Sequence, residues 1–233
     1  MKLPIICLKC CLDDPTTFIA PQLFNLNNEG FYEFECEKGH ISSVGLQEAK
    51  FEILFDIGAY AIVDGYYREA VSSFTSSLER VYEFFIKVIC SSRGIDWNII
   101  QKTWSLVSSQ SERQLGAFIF IYLQEMGEKP ALLHPDHIKF RNQVIHKGQI
   151  PTKQEALEYG QAILDLIRPL LKIIRDNYDK DMANVNTAEK SFLRNKSNIH
   201  ISTLSFPTIL GLFNEIPEFH ERSLVEAISQ LRR

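Results

Sequence analysis

The chain has no run of about 18 uninterrupted apolar residues, the length a membrane-spanning helix needs, so none is expected. Its first ten residues, MKLPIICLKC, lack a long apolar core closed by small residues. No secretion signal is therefore read, and a cytoplasmic location is expected. Positive charge is not in excess either: 25 Lys and Arg stand against 29 Asp and Glu, for a formal net charge of −4. That argues against a protein that coats nucleic acid by general electrostatic attraction, but not against one that admits RNA to a small local site. Internal repeats and low-complexity tracts are missing. What remains is a chain of 233 residues, 45% hydrophobic, long enough to bury a sizeable core in one or two domains.

Cysteines are few and uneven. Cys7, Cys10 and Cys11 crowd the start, Cys36 follows, and Cys90 stands alone in a helical, apolar setting that suits a buried residue. The first four invite a different reading. CLKC is a C-x-x-C knuckle, and CEKGH ends a second segment with Cys36 and His40. Between them, TTFIAPQLFNLNNEGFYEFEC reads as a β-hairpin, with Tyr32, Phe34 and Cys36 alternating with acids and NNEG as its turn. A hairpin with one ligand pair at each end offers four soft ligands as a tetrahedron, which is what structural zinc requires. Cys7, Cys10, Cys36 and His40 are the preferred set, with Cys11 an alternative to Cys10. Protein side chains fill all four positions, so the metal is expected to be structural. The arrangement resembles a small zinc ribbon spanning residues 1–46.

After residue 46 the hydrophobic period changes from two to about 3.6. Phe51, Leu54, Phe55, Gly58 and Ile62 form one stripe. Val71, Phe74, Leu78, Val81, Tyr82, Phe85, Val88 and Ile89 form a longer one. Trp97, Ile100 and Trp104 mark a short helix. Ser111 with Gln114 looks like a capping box opening the next, whose stripe is Leu115, Phe118, Ile119, Tyr122 and Met126. Pro135 and Gly148 bracket a short helix, and Thr152 with Glu155 caps a long one, which a bend at Pro169 is expected to interrupt. Residues 47–178 are therefore expected to form a helical bundle. Residues 179–198 are polar and read as a linker. IHISTLSF suits a strand, and Leu224, Ala227, Ile228 and Leu231 mark a last amphipathic helix, so 179–233 reads as a linker with a strand and helix extension.

The short helix carries Arg141, Asn142 and His146. Residues four apart lie about 40° from each other, so Asn142 and His146 share a face, while Arg141 is about 100° round from Asn142. One helix offering that arc makes half a pocket, and two copies about a twofold axis make a whole one. The bland reading is a helix end, where His146 and Lys147 before a terminal Gly complement the negative pole.

FRNQVIHKGQIPT, preceded by YREAVSSFTSSLERVYEFFIKVI, resembles the HEPN superfamily of helical RNases and defence toxins. Its signature is an Arg, four to six residues, then a His, with a polar residue commonly after the Arg; here Arg141, Asn142 and His146 match with four residues between. The resemblance implies a mainly α, HEPN-like bundle beside the small zinc-binding hairpin. It also implies a homodimer whose motifs meet at the interface and cut RNA without metal, as a toxin or antiviral defence nuclease. His146 is then the general acid or base, Arg141 stabilises transition-state charge, and Asn142 orients. An antitoxin or other defence partner protein is a further expectation. One subgroup carries a Tyr two residues after the His; Gly148 stands there, which disfavours that mode of control. The alternative is a non-catalytic, dimerising binding or sensor module. The stripe from Val71 to Ile89 and the motif helix are together more than one small bundle is expected to cover, a further reason to expect a dimer.

Overall fold

The computed structural model describes residues 2–14, 16, 18–190, 201–214 and 216–231. The elements in chain order are β1 (Lys2–Ile5), α1 (Leu8–Asp13), β2 (Gln22–Asn25), β3 (Phe31–Glu35), β4 (Ile41–Leu46), α2 (Lys50–Asp64), α3 (Tyr67–Ser92), α4 (Trp97–Ser105), α5 (Ser111–Met126), α6 (Pro135–Lys147), α7 (Lys153–Glu189), β5 (Ile201–Leu204), α8 (Pro217–Glu221) and α9 (Leu224–Leu231). The protein is mainly helical, with small sheets near the N-terminus. Among the described residues no helix is long and apolar enough to cross a membrane. Two compact units emerge: residues 1–48 with 189–207, and 49–188 with 208–233. The segment read as a C-terminal extension is thus divided between both.

The first unit holds two sheets. β1 pairs antiparallel with β2, Leu3 opposite Phe24. β3 pairs antiparallel with β4, Phe31 opposite Gly45, and β5 adds to β4 in parallel, Val44 opposite Ser202. The expected hairpin is therefore corrected: β2 and β3 do not form a ladder, and the hairpin is β3–β4, turning through Cys36–His40. The NNEG stretch is a turn all the same. Asn27 accepts the N–H of Gly30 at 2.7 Å and donates to Phe31 O at 2.9 Å, and Phe24 packs its ring 5.6 Å from Tyr32. Those contacts bring β2 and β3 close without backbone pairing. The expected strand in IHISTLSF is β5; residues 199 and 200 lie outside the described residues.

The second unit is the helical bundle. The α3 stripe is covered within one chain: Val71, Phe74, Val81, Phe85 and Val88 are fully buried. Phe74 sets how closely the helices approach. A Cβ on Gly58 of α2 would lie 2.7 Å from the Phe74 ring, and one on Gly160 of α7 would lie 2.6 Å from it. Two glycines make the slot the ring occupies. Tyr82 and Phe118 stack at 4.1 Å, joining α3 to α5.

A row of acids on α2 holds the segment after β5. Glu52 Oε1 accepts the Thr208 hydroxyl at 2.7 Å and the Leu212 N–H at 2.9 Å, and Asp56 Oδ1 accepts the Ile209 N–H at 3.0 Å. Buried carboxylates here do the work of a missing strand partner.

Three local expectations change. Ser111 and Gln114 form no capping box, because Gln114 is buried and spent on Arg80 Nη2 at 2.7 Å and Ser108 O at 2.6 Å. The Thr152–Glu155 box does form, with both side chains bonded back to backbone N–H groups. α7 runs through Pro169, and its one break in helical dihedrals is Tyr178, at φ −136° and ψ 28°. Beyond the break, residues 179–189 are helical rather than linker, since Met182 and Val185 keep the buried stripe going. The rest of the expected linker, 191–198, lies outside the described residues.

Candidate metal centre and the polar face of helix α6

The metal centre is built from two knuckles. Cys7 precedes α1 and Cys10 lies in its first turn, where the chain folds back through Cys11 N–H to Cys7 O at 3.2 Å. Cys36 and His40 flank the β3–β4 turn, closed by Cys36 N–H to His40 O at 3.0 Å and Gly39 N–H to Cys36 O at 2.8 Å. Gly39 has φ +77°, a conformation that favours glycine.

The four ligand atoms all lie within 4.8 Å of one another. Cys10 Sγ is 3.6 Å from Cys36 Sγ and 3.3 Å from His40 Nδ1, and Cys7 Sγ is 3.8 Å from the same nitrogen. Ligands on a tetrahedron at zinc–sulfur and zinc–nitrogen lengths sit about 3.5–3.8 Å apart. The donor set therefore fits a metal ion, and 3.6 Å is far from a disulfide bond of about 2 Å. Cys11 is outside the group: successive helical residues point about 100° apart, so only one of Cys10 and Cys11 can face it.

The surroundings favour ionisation at Cys7 and oppose it at Cys10. Ser42 Oγ donates toward Cys7 Sγ at 3.4 Å. Burial alone raises the Cys7 thiol, but Ser42, the Cys10 N–H and His40 outweigh it and bring the pKa down to about 6. Cys10 is pushed up to about 12, by burial first and then by its neighbours Cys36 and Cys7. Three thiols packed together resist losing all their protons, and a dication at their centre removes that resistance. Asp13 lies 3.7 Å from His40 Nε2, the ring nitrogen turned away from the cluster, where a carboxylate orients a ligating imidazole. Ser42 and Asp13 were not read from the sequence, since nothing in their spacing links them to the ligands.

α6 begins at Pro135 and ends at Gly148, φ +72°, as its flanking residues indicate. Val144 is its one fully buried residue, and Phe140 leans on Tyr159 with ring centroids 5.7 Å apart. Arg141 and Asn142 are half-buried and His146 is exposed in the last turn. Arg141 Nε is shut away from solvent and has no hydrogen-bond partner, and its charge acts on the buried Tyr159 hydroxyl. Asn142 and His146 make no hydrogen bond to any described residue. Within one chain the structure does not bring the Arg141 guanidinium and the His146 imidazole into contact; they span an arc of about 140° on the helix.

Compared with family models, curated proteins and solved structures, the chain matches none.

Proposed function

We propose that this chain is a metal-independent endoribonuclease of the HEPN type, working as a homodimer in a toxin or antiviral defence system. One observation carries the reading: Arg141, Asn142 and His146 cluster on a short helix, and the fold gives none of them a hydrogen-bonding task. A buried guanidinium nitrogen left unbonded costs stability, so the unmet Nε of Arg141 supports a task outside the fold, beside the solvent-reachable Asn142 and His146. The exposed side of α6, with Ile138 beside it at 36% exposure and Ile150 beyond its end at 83%, is the surface a second copy would cover.

RNA supplies its own nucleophile. One imidazole takes the proton from the 2′-OH as that oxygen bonds to phosphorus. The bond from phosphorus to O5′ breaks, and a second histidine, present as the imidazolium, protonates the departing oxygen. A twofold dimer offers two His146 rings for these two transfers, and the paired Arg141 guanidiniums face the charge gathering on the phosphoryl oxygens. The products are a 2′,3′-cyclic phosphate and a 5′-hydroxyl. Cys7, Cys10, Cys36 and His40 would hold a zinc ion with every position filled, so it supplies folding energy only.

The second reading, a dimerising binding module without catalysis, is favoured by the lack of contact between Arg141 and His146 in one chain. Purified protein incubated with RNA separates the two. Cleavage leaving cyclic phosphate ends and lost in His146→Ala supports the nuclease, while a well-folded dimer that leaves RNA intact supports the binding module.

A further inference from the structure

Gln161, Arg168 and Arg175 recur every seven residues along α7 and so lie in one row at the flank of its buried stripe. Gln161 shows what the row faces: its Oε1 accepts the backbone N–H of Leu224 at 2.7 Å, at the start of α9. Arg168 and Arg175 are separated by about 10.5 Å along the axis, a gap that a ligand held by two long side chains can span.

Both arginines are half-buried. Nε and Nη2 of Arg168 and Nη1 of Arg175 are shut off from solvent without a hydrogen-bond partner. From the C-terminal segment, His220 and Arg222 approach the same region. The His220 imidazole is held below its ordinary pKa by burial and then, against the bond of Nε2 to Asn214 O, by the charges of Arg175, Arg168 and Arg222. With Nε2 donating to that carbonyl, its Nδ1 is left buried and unpartnered. Arg168 feels Arg222 in turn.

Carboxylates do act on this group through space, Asp165 on Arg168, Asp176 and Glu52 on Arg175, and Glu226 on Arg222, but the three buried guanidinium nitrogens of Arg168 and Arg175 donate to none of them. Asp165 accepts from Gln161 at 2.7 Å and Asp176 from Lys172 at 2.5 Å. Glu52 is committed to Thr208, Leu212 and the Ala49 N–H. Arg222 is bonded, from Nε to Phe219 O at 3.2 Å and from Nη1 to Gln230 Oε1, so the unmet guanidinium donors are those of Arg168 and Arg175, and buried charged donors without acceptors are among the costlier defects a fold can carry. An anion entering there would satisfy the donors and relieve the repulsion together. A dianion matches this charge better than a single carboxylate does, and guanidinium forks suit tetrahedral oxygens.

We propose that Arg168 and Arg175, with Arg222 and His220 beside them, form a binding site for the phosphoryl group of a ligand, separate from α6. The inference does not depend on the nuclease reading. Inorganic phosphate is the probe, titrated against the full chain at constant ionic strength while the melting temperature of the helical signal is followed. Phosphate should raise it saturably and acetate much less. Arg168→Gln and Arg175→Gln should each weaken the phosphate effect about tenfold or more. In phosphate-free buffer both should melt at or above the parent temperature, since each removes a buried cation that lacks a partner. Arg168→Lys, which keeps the charge but loses the fork, should fall between. A shift that survives both glutamine variants, an equal shift with acetate, or no shift would overturn the proposal. So would glutamine variants that melt well below the parent without phosphate, because the arginines would then be structural.

Discussion

Replacing Cys36 by serine removes one of four metal ligands, and the structure says how much that should matter. Among the described residues, the first unit buries Leu3, Ile5, Phe31, Tyr32, Val44 and Leu46 besides the two buried ligands Cys7 and Cys10. At about 1.5–3 kcal/mol for each large apolar side chain, those six give roughly 9–18 kcal/mol before any entropy is charged against them. A structural zinc site contributes about 10–16 kcal/mol of apparent binding energy at neutral pH. The metal is therefore expected to match the whole apolar core of this unit. Cys36→Ser should abolish stoichiometric zinc and unfold residues 1–48 with β5. The core of the second unit, which shares no residue with that set, should persist. Elemental analysis reads the first effect. Amide exchange reads the second: protection should vanish in β3 and β4 and remain in α3 and α7. The β3–β4 amides keeping full protection in a metal-free Cys36→Ser protein would refute the reasoning. Serine at position 11 is the control, since Cys11 lies outside the cluster, and it should leave zinc content unchanged.

Three further outcomes are expected. His146→Ala should lower RNA cleavage by on the order of 10²–10⁴, with Arg141→Ala comparably damaging and Asn142→Ala milder; chelator added after folding should not stop the reaction, and DNA should stay intact. Gly160→Ala places a Cβ 2.6 Å from both Leu224 Cδ2 and the Phe74 ring, so the overpacking should outweigh the helix-propensity gain and cost about 1–2 kcal/mol, read as a lower urea midpoint at unchanged slope. Glu125 is held below the usual carboxylate range by the Tyr178 hydroxyl and then by Arg93, so its stabilising effect is full above about pH 4.3 and is lost as pH falls through the lowered value. Glu125→Gln should therefore flatten the acid limb of the stability curve, and an unchanged limb would show that the Glu125 contacts add nothing.

The helical stripes were legible because burial on one face repeats every 3.6 residues whatever the helix packs against. Phe74, Phe85, Val88 and Phe118 lie inward as that period alone indicates. The metal ligands were legible through spacing. Strand pairing was not. NNEG offered a plausible turn between β2 and β3, but the four-residue β1, KLPI, competes for β2, and a pattern that short carries no periodicity to detect. β5 pairs with β4 across more than 150 residues, which no local pattern encodes. The helical stretch after Tyr178 hid for a related reason: Met182 and Val185 are two apolar anchors in eleven largely polar residues.

The arginines of α7 show where such reading fails for function. Beside a long apolar stripe, Arg168 and Arg175 look like the solvated flank of an amphipathic helix, the usual place for such residues. What changes their meaning is a segment more than 40 residues later, which covers that flank and buries guanidinium nitrogens without supplying acceptors. The same holds for Arg141, whose position in an Arg-x4-His spacing suggests chemistry but whose buried, unbonded Nε is visible only in the folded chain. Five described residues carry buried side-chain polar atoms with no partner: Glu48, Arg141, Arg168, Arg175 and His220. Four of the five are basic, in a chain whose net charge is −4. The bias toward cationic donors is what a protein with anionic ligands would show. The two proposed sites, α6 and the flank of α7, are distinct, and substitutions at one should leave the other unaffected.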